Sequence, residues 1–215
     1  MSKNWFIETF TTSIGRKLLM ALTGLGFLLF IVIHLMGNLT LFIGRDAFTA
    51  YVDALHEYGA LIVVAEIGLL VLAVIHVGMG ITLYLANRSA RSVGYAVQKS
   101  GGGRNIGSAT MPYTGLAIFL FLIIHLSNFT FADVTDQSMY DVVTATFSSV
   151  FYVILYIAAI AAVAVHIRHG FWSLFQSLGL NHDKTMPAIR RISIVLAIIV
   201  GAGFALIPIY IGFAS

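Results

Sequence analysis

Apolar residues gather into five runs separated by short polar stretches, each near the roughly 20 residues that a bilayer core demands of a helix. The pattern predicts helices over about 18–42, 61–86, 112–132, 143–175 and 192–213, forming one domain over 1–215. The fold class expected is all-α, a polytopic five-helix membrane bundle. The fourth helix is long enough to tilt or to project beyond a membrane. Pro112 suits the first turn of the third helix, while Pro208 and Gly212 predict fraying near the end of the fifth. Between the first two runs, Phe48, Tyr51, Val52 and Leu55 recur at helical spacing among polar neighbours. That spacing predicts a short amphipathic helix resting on the outer surface. Trp5, Phe6 and Phe10 predict an interfacial piece before the first span, and Gly101-Gly102-Gly103 a hinge in the polar loop after the second.

The first and third runs share more than hydrophobicity. Thr23 to Phe42 reads TGLGFLLFIVIHLMGNLTLF, and Thr114 to Phe131 reads TGLAIFLFLIIHLSNFTF. Each opens on Thr-Gly and places a histidine eleven residues after the threonine, His34 in one and His125 in the other. The second run holds His76, followed by VGMG, and the fourth holds His166, followed by IRHG. His34 and His125 are 91 residues apart, and His76 and His166 are 90 apart. Such a repeat reads as a duplicated helix pair with one histidine per helix.

Composition agrees with the membrane reading. The 215 residues are 59% hydrophobic and 10% charged, with a mean hydropathy of +0.95, where a soluble domain carries about 25% charged residues. The absence of cysteine excludes disulfides, thiolate-held iron–sulfur clusters and cysteine-liganded zinc. The polar N-terminus and long first run do not fit a cleavable signal peptide. Lys3, Arg16, Lys17, Arg88, Arg91, Lys99, Arg104, Arg168, Lys184, Arg190 and Arg191 fall on one side of a five-span topology, and only Arg45 on the other. Positive residues stay in the cytoplasm, so the expectation is a multi-pass protein of the cell (inner, cytoplasmic) membrane, N-terminus inside and C-terminus outside. The basic loops would meet lipid headgroups or a docked protein partner rather than nucleic acid.

Depth sorts the histidines. At about 1.5 Å per residue, His34 and His125 lie roughly 10–12 Å below the outer surface, whereas His76 and His166 lie in the inner half. Two pairs result, each joining equivalent helices of the two repeats. A membrane histidine ordinarily serves as a hydrogen-bonded packing residue. Four at matched depth and repeat spacing point instead to ligands, because neutral imidazole binds iron well. Two imidazoles on facing helices close both axial positions of a haem, which favours electron transfer over oxygen binding. The expectation is therefore two haems b among helices one to four, with iron held by His34, His125, His76 and His166. Gly24, Gly26, Gly78, Gly80 and Gly115 would leave room for a flat macrocycle.

The segments GRKLLMALTG and HLMGN of the first helix, and HIRHGFWSLFQSLGLNH after the fourth, resemble the cytochrome b membrane subunit of succinate dehydrogenase and fumarate reductase. The likeness is to the single-subunit, five-helix, dihaem branch and covers nearly the whole chain. It implies His34 with His125 at an outer haem and His76 with His166 at an inner one. It also implies a flavoprotein that interconverts succinate and fumarate, and an iron–sulfur subunit docked on the cytoplasmic face. The chain would then be the quinone-reactive membrane subunit of a succinate:quinone oxidoreductase, with menaquinone as the quinone of that branch.

Other residues carry secondary expectations. Glu66 lies about six residues below the outer end of the second helix, where a carboxyl would exchange protons with a quinone. Asn38, Ser127 and Asn128 would offer hydrogen bonds to a quinone carbonyl or simply cap helix ends. Arg45, Arg168 and His169 are candidate propionate contacts, Arg45 for the outer haem and the other two for the inner. His56 on the amphipathic segment reads as exposed. Three rivals stand beside the dihaem reading: a cytochrome b of a hydrogenase or formate dehydrogenase, a haem-free structural anchor, and a proton-coupled transporter dependent on Glu66.

Overall fold

The computed structural model describes residues 10, 12–90 and 106–214. The expectations for Trp5 and Phe6, for Lys3, Arg91, Lys99 and Arg104, and for the triple-glycine hinge lie outside the described residues. Those described are helical apart from short turns: α1 Ser13–Asn38, α2 Arg45–Glu57, α3 Ala60–Ser89, α4 Ile106–His125, α5 Met139–Phe147, α6 Val150–Ser177 and α7 Met186–Ala214. A 3-10 turn, Leu39–Phe42, prolongs α1, and a π turn, Leu126–Thr130, prolongs α4. Five of these helices are long and apolar enough to cross a membrane. A multi-pass membrane protein follows from that count and from the apolar side chains directed outward, such as Val63, Val64, Ile67, Leu70, Val71 and Val74 of α3.

Helix α6 is the central post. It packs on α7, α4 and α1, while α3 lies mainly against α1, so that no side chain of α3 is buried. The densest core sits at one end, where Leu41, Phe48, Val143, Phe147, Tyr156, Ile160, Ile207 and Ile211 meet from the 3-10 turn, α2, α5, α6 and α7. The expected amphipathic segment is α2, with Phe48 in this core and Asp53, His56 and Glu57 outside it. Glycines bound it on both sides: Gly44 and Gly59 adopt φ of 124° and 47°, which residues with a Cβ rarely reach.

Three boundaries differ from the pattern reading. The fourth helix is two helices, broken at Ser148-Ser149. Thr144, Thr146 and Ser148 turn their hydroxyls back onto the carbonyls of Tyr140, Val142 and Ala145, and Ser149 is extended. Such back-bonding competes with the helix ladder. Pro112 lies inside α4 rather than in its first turn, because the helix already includes Ile106. The end of α7 does not fray: Pro208 is fully buried, Ile211 is in the core, and a Cβ on Gly212 would come within 3.0 Å of the Phe147 carbonyl oxygen. Close packing on α5 and α6 holds that last turn.

Charge is divided between the two ends. Lys17 and Met20 of α1, Leu83 of α3, and Ser173, Gln176 and Ser177 of α6 surround one shallow cavity, so these three helix ends converge. Arg190 at the start of α7 joins them, its guanidinium 5.0 Å over the Trp172 ring. At the opposite end stand Arg45, Asp46, Asp53, Glu57, Asp133, Asp136 and Asp141. Arg45 is not free there. Its Nη1 donates to Asp141 Oδ2 at 3.0 Å, its Nη2 donates to Asp141 Oδ1, and its guanidinium lies 5.0 Å over Tyr140. Asp141 is also the reciprocal cap of α5, accepting from Ser138 N at 3.2 Å and Ser138 Oγ at 2.7 Å. The Ser138 hydroxyl first, and Arg45 next, hold its carboxyl below the usual aspartate value. The same pairing raises the Arg45 guanidinium.

Candidate functional site

The four helix histidines meet in two pairs. His34 of α1 and His125 of α4 have ring centres 5.9 Å apart with planes at 90°. His76 of α3 and His166 of α6 have ring centres 6.3 Å apart with planes at 61°. Each pair joins equivalent helices of the two repeats, as depth along the sequence predicts. His76 and His166 are each the seventeenth residue of their helix, whereas His34 and His125 lie near the acidic ends of theirs.

The repeated Thr-Gly also finds its place. Thr23 Oγ1 is 3.0 Å from His76 Nδ1, and Thr114 Oγ1 is 3.1 Å from His166 Nδ1. A Cβ on Gly24 would lie 3.3 Å from His76 Cε1, and one on Gly115 would lie 3.6 Å from His166 Cε1. Each Thr-Gly therefore grips the histidine of the next long helix. Thr23 is eleven residues from His34, and Thr114 eleven from His125. At the helical rise, the two pairs stand about 16 Å apart along α1 and along α4. Neither threonine is a site candidate on pattern alone, although the TG-to-histidine repeat is the signal that marks both.

The surroundings of the pairs differ. His34 stacks on Phe30 with ring centres 5.2 Å apart and also faces Phe204 at 5.7 Å. His125 is ringed by Phe121, Phe129 and Tyr156 at 5.6, 5.2 and 6.0 Å. At the His76–His166 level Phe27 stands edge-on to His76 at 5.6 Å, the one such ring among the described residues, and hydroxyls and glycines line the rest. The π turn after His125 swings Phe129 onto Tyr156 and Asn128 toward the same residue, whose phenol oxygen accepts from Asn128 Nδ2 at 3.2 Å. Single π turns inside helices are frequent at functional sites. Asn38 donates to the His34 carbonyl at 2.8 Å, a local cap bond that also brings its amide within 3.4 Å of the imidazole nitrogens.

Three residues stand apart from the pairs. Glu66 is exposed on the outward surface of α3. Arg168 is exposed near the basic end of α6, and Arg45 is engaged with Asp141. His169, by contrast, is half-buried one turn beyond His166. It meets Trp172 edge-on at 4.9 Å, and its buried Nδ1 has no hydrogen-bond partner among the described residues.

A metal bound about 2 Å from each of two imidazole nitrogens keeps the ring centres roughly 6 Å apart. Both pairs match that spacing. Among the described residues no three or more His, Cys, Asp or Glu side chains gather as a ligand cage. Two imidazoles face each other at each level. At His125 the buried Nδ1 lacks a partner among the described residues, and at His76 and His166 the threonine bonds occupy Nδ1 and leave Nε2 for coordination. No family model, curated protein or solved structure matches this chain.

Proposed function

We propose that this chain is the haem-b membrane subunit of a succinate:quinone oxidoreductase, linking an iron–sulfur partner subunit to a membrane quinone. The observation that carries the haem assignment is the pair of facing histidine couples, spaced for one metal each. Both lie between apolar helices and are stacked about 16 Å apart. His34 and His125 would hold one haem, and His76 and His166 the other. Haem b held by two imidazoles supplies reversible one-electron transfer. The chain's residues position and insulate it: the aromatic ring around His34 and His125 excludes water, while Thr23, Gly24, Thr114 and Gly115 seat the other two imidazoles. Arg168 and His169, next to His166, are the candidate propionate contacts at that level.

The remaining parts of the proposal rest on charge and on the resemblance. The cationic end faces the cytoplasm by the positive-inside rule and receives the iron–sulfur and flavoprotein subunits. Arg45, Asp46 and Asp141 then lie outside. Glu66 is assigned proton exchange with the quinone, menaquinone by resemblance, because an intramembrane carboxyl defaults to a functional role.

The test is a reduced-minus-oxidised spectrum of the purified protein, with haem-to-protein stoichiometry. Two low-spin haems per chain are expected. His34→Ala and His125→Ala should remove one spectral component, and His76→Ala and His166→Ala the other. Loss of the same component in His34→Ala and His76→Ala would refute the pairing. A colourless, monodisperse and helical preparation would refute the haem assignment. Co-purification with a flavin-bearing subunit separates this function from a cytochrome b that serves a hydrogenase or formate dehydrogenase.

A further inference from the structure

The hydrogen bonds at the threonines have a direction that the histidine spacing alone does not reveal. A threonine hydroxyl carries one hydrogen and two acceptor lone pairs. Thr23 Oγ1 lies 2.7 Å from the Leu19 carbonyl and 3.2 Å from that of Met20, the i−4 and i−3 positions of its own helix. Thr114 repeats the arrangement, with the carbonyls of Thr110 at 3.1 Å and Met111 at 3.2 Å. Helical threonines use this rotamer because the hydroxyl can donate back to the preceding turn. With its hydrogen spent on a carbonyl, each hydroxyl has only acceptor capacity left for the imidazole nitrogen beside it. That nitrogen must then be the donor.

We propose that Thr23 and Thr114 are positioning residues that hold His76 and His166 in the Nδ1-protonated tautomer, with the Nε2 lone pair presented to the metal. The consequence for iron rests on the haem reading; the tautomer does not. Each bond crosses between consecutive long helices of one repeat, α1 to α3 and α4 to α6. The glycine that follows each threonine admits the Cε1 edge of the same ring. The Thr-Gly pair thus sets both the tautomer and the approach, which is why it recurs at the same offset in both halves. The other pair is built otherwise. Among the described residues His125 Nδ1 has no hydrogen-bond partner, and the polar contact of the His34 ring is the long one to Asn38. Outer hydrogen bonds that fix the tautomer of a ligating histidine raise its electron donation, and losing one costs about 10–100-fold in metal affinity. Donation favours ferric over ferrous iron, so the threonine bonds lower the midpoint potential of the haem they serve.

Nitrogen-15 spectra of histidine-labelled protein read the tautomer directly, in haem-free and haem-loaded samples alike. In the haem-free protein His76 and His166 should both be protonated at Nδ1. Thr23→Val should mix the tautomers of His76 and leave His166 unchanged, Thr114→Val should do the reverse, and Thr23→Ser should behave as the parent. In the loaded protein, Thr23→Val should raise the midpoint of one spectral component. A tenfold loss of preference for ferric iron corresponds to about 59 mV for one electron. The component lost in His34→Ala should not move. Nε2 protonation of His76 in the parent would overturn the proposal, as would Thr23→Val leaving both tautomer and midpoint unaltered. A protein that binds no haem but shows the Nδ1 tautomers and their loss in the valine variants would support the threonine assignment and sink the haem reading alone.

Discussion

Gly37→Ala tests whether α2 is held down by the contact the structure shows. Gly37 is buried in the last turn of α1, three residues after His34, and the Tyr51 ring of α2 lies flush against it. A Cβ at Gly37 would fall 2.2 Å from Tyr51 Oη, 2.3 Å from Cζ and 2.6 Å from Cε1. Relief to an ordinary contact of 3.4 Å requires the hydroxyl to retreat by 1.2 Å (3.4 minus 2.2). Because three atoms of one rigid ring collide, the Tyr51 ring must leave its seat on α1, and the contact that holds α2 down goes with it. Overpacking of this kind costs about 1–3 kcal/mol, a factor of about 5–150 in the docking equilibrium. Trypsin reports the equilibrium well, since Arg45 is the only lysine or arginine between Lys17 and Arg88 and opens α2. When reclosing outpaces cleavage, the rate of cutting follows the open population. Cutting at Arg45 in detergent-solubilised Gly37→Ala should therefore rise by that factor. In a Tyr51→Ala background the glycine substitution should add little, which isolates the pairwise term. An unchanged cleavage rate, or an equal effect in both backgrounds, would refute the reasoning.

Acidification should loosen the same end. The Asp141 carboxyl is held below the ordinary value of 3.8, chiefly by Ser138 and then by Arg45, so its contribution is complete above that value and lost as pH falls through the lowered one. Cleavage at Arg45 by an acid-active protease should accelerate over that interval in the parent and not in Asp141→Asn, which should already be loose at neutral pH. Glu66→Gln should retain both haem components and lose quinone-linked turnover in the assembled complex, measured as electron transfer to a water-soluble quinone. Unimpaired turnover would remove Glu66 from the proton path.

The five long helices were legible in the sequence because membrane helices answer to length and hydrophobicity alone, both of which are local. The pairing of His34 with His125 and of His76 with His166 was legible for a related reason. A helix rises by a fixed amount per residue, so equal offsets in two repeats become equal depths. The positions of charge and of the amphipathic α2 followed from the same one-dimensional record.

Other features depended on what each segment meets in space. The break at Ser148-Ser149 needed hydroxyls free to turn back on carbonyls, and the ordered end of α7 needed α5 and α6 against Pro208 and Gly212. Arg45 reads in sequence as a lone cation awaiting an anion, and only the fold brings Asp141 to it across 96 residues. Thr23 and Thr114 show the division most clearly. Their repetition is written in the chain, but a hydroxyl's role is set by its neighbours. Only the packing of α3 on α1 and of α6 on α4 puts an imidazole nitrogen where the spare lone pair points. Sequence determined the depth of each histidine through helical periodicity. Tertiary structure decided which atoms face each ring, because that depends on the rotation and approach of separate helices, which no local pattern encodes.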